Sequence, residues 1–200
     1  MDSNDIDIIV EKVILDDSLI KPILEGILSK NDEIREKNFR ILLQISRKYP
    51  KVLHSKWDFL VDLLKSDNHF HRYMSINLIA NIASNDITNK FKEIFDEYFG
   101  NIWNNRTMVA GQTILNSGKI ANKIPSLIPK ITNILLNIDK IHRGKQIELL
   151  KGYSIESFNE YFNKIKDKNE ILNFVKKQLT SNSPKTRKNA KEFIEKWNFL

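Results

Sequence analysis

The chain contains no cysteine. That removes disulfides, thiolate metal sites and cysteine nucleophiles from consideration. Glycine and proline are scarce, at 6 and 5 of 200 residues. Many-stranded β folds need such residues at each tight turn, so this scarcity argues against sandwiches and barrels. No apolar run approaches the ~18 residues that cross a bilayer. The first residues, Met1 to Asp7, are acidic and lack the basic and apolar regions of a signal peptide. A cytoplasmic, soluble protein without a membrane partner is therefore expected. Histidine is also rare, with 4 in the chain. His69 and His71, two apart, would leave a helix in different directions, and no acidic cluster completes a metal set. No metal and no cofactor is expected, and no phosphate-binding loop or Rossmann glycine pattern is found.

What is present is an ordinary globular balance, with 41% hydrophobic and 28% charged residues. The net charge of +7 is unevenly placed. Residues 1–118 carry 15 Lys and Arg against 17 Asp and Glu, whereas residues 119–200 carry 17 against 8. A basic half points to an acidic partner, or to a lysine-rich solvated surface.

Apolar residues follow helical spacing almost throughout. Ile6, Ile9, Val10, Val13 and Ile14 form one stripe, and Leu19, Ile23, Leu24, Ile27 and Leu28 form a second. The stripes repeat. With Arg35, Arg72, Met108, Arg143 and Arg187 in one column, the intervals are 37, 36, 35 and 44 residues. Six residues on stand Ile41, Leu78, Ile114, Leu149 and Phe193; seven on stand Leu42, Ile79, Leu115, Leu150 and Ile194. Polar turns precede each column: Ser29–Asp32, Ser66–Asn68, Asn104–Asn105, Asn137–Lys140 and Ser181–Pro184. Before each turn lies another apolar helix. Each unit is thus helix, turn, helix, and a hairpin of that size must stack on neighbours to complete a core.

On these residues the chain resembles the HEAT-repeat family. The segment Ser183-Pro184-Lys185-Thr186-Arg187-Lys188-Asn189-Ala190 is the nearest to that family's second-helix pattern, and Asn31 to Arg35 follows it more loosely. Pro22 and Pro129 sit where HEAT first helices often kink, while Met108 departs from the pattern. The resemblance implies an all-α, right-handed α-solenoid of about five HEAT-like (armadillo-type) helical hairpins with an N-terminal capping helix. The expected organisation is a single domain over residues 1–200, with the cap at 1–17. Repeats are expected at about 18–50, 51–85, 86–119, 120–153 and 168–200. Residues 154–167 are read as an insertion carrying an extra helix, because Ile155, Phe158, Tyr161, Phe162 and Ile165 keep helical spacing.

The family carries no single activity. The resemblance implies that second helices line the concave side. A partner-binding ridge is therefore expected at Arg40, Gln44, Asn77, Asn81, Thr113, Asn116 and Lys151. Its uncharged, amide-rich middle suits a protein or peptide partner better than bare phosphate, which needs a continuous cationic track. The expected role is a non-catalytic binding scaffold. The alternative is nucleic-acid binding by Lys123, Lys130, Lys166, Lys168, Lys176 and Lys177. Some HEAT-like proteins are DNA glycosylases, which need a concave carboxylate beside aromatic residues. Here Glu148, Glu192 and Glu195 stand apart from Trp57, Trp103 and Trp197, so that activity is not expected. The recurrent arginines are read as structural, each bonding the turn of an adjacent repeat.

Overall fold

The computed structural model describes residues 3–83, 89–103 and 106–199, and every described regular element is helical. The chain divides into two compact units, Met1–Ile94 and Phe95–Leu200.

The first unit holds α1 (Ser3–Leu15), α2 (Ile20–Gly26), α3 (Asp32–Lys48), α4 (Pro50–His54), α5 (Trp57–Leu64), α6 (His69–Ala83) and α7 (Lys90–Glu93). α2 pairs with α3, and α5 pairs with α6, each as an antiparallel hairpin. α3 also packs on α6, and α1 lays Ile6, Val10 and Val13 into the core beside α3. The expected cap is thus seated on the second helix of the first hairpin. Pro50 opens α4, where its missing N–H leaves no bond unmade.

The second unit holds α8 (Phe95–Gly100), α9 (Thr107–Lys123), α10 (Ile128–Leu136), α11 (Ile138–Ile141), α12 (Ile147–Asn159), α13 (Asn169–Lys177) and α14 (Pro184–Lys196). α12 is central, with α9 on one flank and α14 on the other. Two glycines allow the close approach. A Cβ on Gly118 would stand 2.6 Å from the Ser157 carbonyl oxygen, and one on Gly152 would stand 2.5 Å from Thr186 Oγ1. The Ser117 and Ser157 hydroxyls meet at 2.8 Å in the same contact. The Thr186 hydroxyl donates to the Glu148 carbonyl at 2.6 Å across the α12–α14 contact.

The second helices begin at Asp32, His69, Thr107, Ile147 and Pro184, at intervals of 37, 38, 40 and 37 residues. This spacing is more even than the one read from the arginine column, and it locates two slips. The fourth residue of the second helix is Arg35, Arg72 and Arg187 in three hairpins, but Ala110 in α9 and Leu150 in α12. Met108 is displaced by two residues from that position. Arg143 lies before α12 altogether.

The second slip created the apparent insertion. Residues 154–159 continue α12 without a break, and residues 162–164 make a single 3₁₀ turn in place of an extra helix. Ile155 and Phe158 are fully buried as part of α12, which packs against both α9 and α14. A spacing of seven residues nearly preserves the helical face, drifting only about 20°, so the misplacement leaves the apolar pattern intact.

Candidate functional site

Three of the turns share one construction. In Ser29-Lys30-Asn31, Ser66-Asp67-Asn68 and Ser181-Asn182-Ser183, the first serine hydroxyl accepts the backbone N–H two residues on, at 3.1, 3.2 and 3.3 Å. The third residue then caps the following helix. Asn31 accepts from Glu33 and Ile34, Asn68 from Phe70, and Ser183 from Thr186. Six residues after each serine comes the arginine. Arg35 and Arg187 donate to the carbonyls of Ser29 and Ser181 at 3.1 and 2.6 Å, and Arg72 reaches the Asp67 carbonyl at 3.5 Å. These arginines therefore close the turn of their own hairpin rather than that of an adjacent repeat. The pattern Ser-x-(Asn/Ser)-x-x-x-Arg stands in the sequence at all three places, and it would have separated these true hairpin starts from Met108 and Arg143.

In the first unit, Arg40 and Gln44 line a cleft of about 360 Å³ between α1 and α3. Its other walls are Ile6, Asp7, Leu43, Arg47 and Lys48. The side chain of Gln44 donates to Asp7 Oδ1, and Lys48 Nζ stands 2.8 Å from the same oxygen. The Lys48 ammonium bond holds the Asp7 carboxyl below its ordinary range, against a smaller opposing effect of desolvation. Lys48 is raised in turn, first by its bond to Asp7. Arg40 and Arg47 are exposed and form no ion pair among the described residues. Their spacing, with Gln44 and Lys48 at i+4 and i+8 from Arg40, puts all four on one face of α3.

The other two ridge residues of this unit stand on α6 and are half-buried. Asn77 donates to the Tyr73 carbonyl at 2.7 Å, along its own helix. Asn81 donates to Ser46 Oγ at 2.8 Å and so ties α6 to α3. Tyr73 meets Phe39 of α3 edge-on, with ring centroids 5.8 Å apart. The polar strip of α3 thus runs beside that of α6.

The second unit places its ridge residues differently. Thr113 is fully buried, with its hydroxyl donating to the Val109 carbonyl at 3.0 Å. Asn116 is buried too; its amide donates to the Gln112 carbonyl, and its oxygen accepts from Lys119 Nζ at 3.1 Å. The two-residue slip on α9 explains both placements, because two residues turn a helix by about 200°. The exposed stripe of α9 is instead Met108, Gln112, Leu115 and Lys119, of which Gln112 and Leu115 are only part-exposed. Lys151 of α12 is half-buried and pairs with Glu148 at 2.7 Å. The Glu148 carboxyl is held low, first by the Lys151 bond and then by the Ser181 hydroxyl at 2.5 Å.

The lysines read as a nucleic-acid surface fall into two kinds. Lys130 is held by Asp96 at 2.8 Å and lies over the Phe95 ring, and Lys168 donates to the Ile165 carbonyl. Lys123, Lys166, Lys176 and Lys177 are exposed and unpaired by acids among the described residues. Lys166 borders a second cleft, of about 510 Å³, whose walls include Ile128, Pro129, Ile165 and Glu170.

Among the described residues no group of three His, Asp or Glu could hold a metal, and no helix is long and apolar enough to cross a membrane. His142, isolated in sequence, is buried with Nδ1 at 2.9 Å from the Ile102 carbonyl. It ties residues before α12 to the turn that follows α8.

No protein-family model matches the chain. No curated protein matches it either. Solved structures do. The designed armadillo repeat protein YIII(Dq)4CqI superposes with a TM-score of 0.61 at 15% identity, over 93% of this chain and 84% of that one. A second designed armadillo repeat protein, YIII(Dq.V1)4CPAF, in complex with peptide (KR)4, gives a TM-score of 0.61 at 17% identity over the same shares. The chain therefore has the all-α fold of the armadillo and HEAT-like repeat solenoids.

Proposed function

We propose that the protein is a non-catalytic repeat scaffold that binds an extended segment of a protein partner on the polar faces of its second helices. The observation that carries this reading is the cleft between α1 and α3, where Arg40 and Gln44 meet Arg47 and Lys48 over an apolar floor of Ile6 and Leu43. An accessible groove with side-chain donors and apolar contact suits a peptide chain, whose carbonyls and carboxylates are acceptors. The fold supports the reading as well, since one similar designed protein is in complex with a peptide.

A photo-reactive residue at Asn77, beside the α3 strip, provides the test. Irradiation with the partner-containing extract should yield cross-linked protein that survives nuclease and disappears when Arg40 and Arg47 become Glu. Cross-links only to nucleic acid would overturn the proposal.

A second reading, nucleic-acid binding by the second unit, draws on the exposed lysines Lys123, Lys166, Lys176 and Lys177. It requires an affinity that falls steeply with salt and is lost when Lys166, Lys176 and Lys177 become Glu. No shift of labelled RNA or DNA at about 50 mM salt would end it.

A further inference from the structure

The cleft between α1 and α3 already binds one carboxylate. Asp7 Oδ1 accepts from both Gln44 and Lys48. One turn to either side of Gln44, Arg40 and Arg47 line the same cleft with no acid on them among the described residues. The walls thus hold three cations and one anion, a surplus of two positive charges around an apolar floor. Of the acids on the same two helices, Glu36 stands one turn before Arg40, and Glu11 adds to the raised basicity of Lys48. Neither forms an ion pair with the arginines.

Guanidinium groups pair bidentately with carboxylates because their planar donors match both oxygens, and the carboxylate already held in this cleft shows that one fits there. Here two such groups flank an aspartate that is itself held in the cleft. We infer that this cleft receives an acidic, extended stretch of the partner protein, and that Asp7 occupies the place of one of its carboxylates. The inference rests on the scaffold reading above and names its partner class. Carboxylates of the incoming segment pair with Arg40 and Arg47, and its apolar side chains cover Ile6 and Leu43. Asp7 is then an internal competitor, neutralising Lys48 and repelling the ligand.

The opposite charge preference is the clearest contrast. One similar designed protein is in complex with the basic peptide (KR)4. This cleft predicts rejection of that sequence.

The test uses the full chain and rhodamine-labelled octapeptides read by fluorescence anisotropy. One alternates Glu with Ala, one alternates Gln with Ala, and one is (KR)4; a labelled oligonucleotide is the fourth probe. The expected result is binding of the Glu peptide at least about tenfold tighter than the Gln peptide, weakened by salt. Arg40→Glu with Arg47→Glu abolishes it, and Asp7→Asn tightens it severalfold. All three positions are at least partly exposed, and circular dichroism of the variants verifies that they fold. Equal binding of the Glu and Gln peptides, unmoved by the arginine changes, overturns the acidic class but leaves the scaffold reading standing. Failure of the Glu peptide to bind, or weaker binding by Asp7→Asn, overturns the inference. Binding of the oligonucleotide alone overturns both.

Discussion

Gly118 of α9 faces the backbone of Ser157 on α12 so closely that a β-carbon there would lie 2.6 Å from the Ser157 carbonyl oxygen. A flexible side chain could swing aside, but a helix backbone cannot without moving the helix. Gly118→Ala should therefore destabilise the protein by about 1–3 kcal/mol, the usual range for overpacking. Gly100 is the control. A β-carbon there meets nothing within 4 Å, so Gly100→Ala should be neutral or stabilise by up to about 1 kcal/mol. Urea denaturation of the two variants decides it; equal effects would mean that the α9–α12 contact is looser than described.

The arginines of the Ser-x-(Asn/Ser)-x-x-x-Arg turns should matter for stability in proportion to their bonds. Arg187 is half-buried and donates to the Ser181 carbonyl at 2.6 Å. Its replacement by Ala should cost about 1–2 kcal/mol. Arg143 shares the sequence column but is exposed and lies outside α12, so Arg143→Ala should stay within about 0.5 kcal/mol of the parent. Thermal unfolding of both variants separates a structural column from a coincidental one.

Glu148 sets an acid-side dependence. Its folded-state carboxyl lies below the ordinary 4.5 because Lys151 and Ser181 bond the ionised form. The stability it supplies is therefore present above about pH 4.5 and is lost as pH falls through the lower folded value. Glu148→Gln should lower the denaturation midpoint at pH 7, and its gap from the parent should narrow as pH falls and the parent carboxyl also takes up a proton. A gap that stays constant from neutral to acid pH would contradict this.

The bond from Asn81 to Ser46 Oγ joins α6 to α3 across 35 residues. A double-mutant cycle with Asn81→Ala and Ser46→Ala should return a coupling of about 0.5–1.5 kcal/mol. Additive effects would show that the two side chains do not act as a pair.

The unequal fate of the predicted ridge has a plain cause. Arg40 and Gln44 line the α1–α3 cleft because Arg35 is the fourth residue of α3, and face follows from position at 100° per residue. On α9 the alignment slipped by two residues, which turned Thr113 and Asn116 into the core. On α12 it slipped by seven, which left Lys151 facing much the same way. The first slip left Ile114 and Leu115 in the two columns that are apolar in every repeat, so those columns did not reveal it. The serine-capped turns could have done so, but the turn before α9 lacks the motif.

What the amino-acid order determined by itself is everything built from contacts a few residues apart. It specified helices throughout, the caps at Asn31 and Ser183, the breaks at the serine turns, and the repetition of hairpins. Those depend on spacings of two to six residues, which the chain carries wherever it goes. Tertiary structure alone decided which helix faces remain open. α12 touches both α9 and α14, and α9 is further covered by α10, so polar residues such as Thr113, Asn116 and Ser117 were enclosed with their hydrogen bonds turned inward. The same packing brought Asp7 to Gln44, from 37 residues away, and made one end of α3 a cationic cleft with a carboxylate already in it.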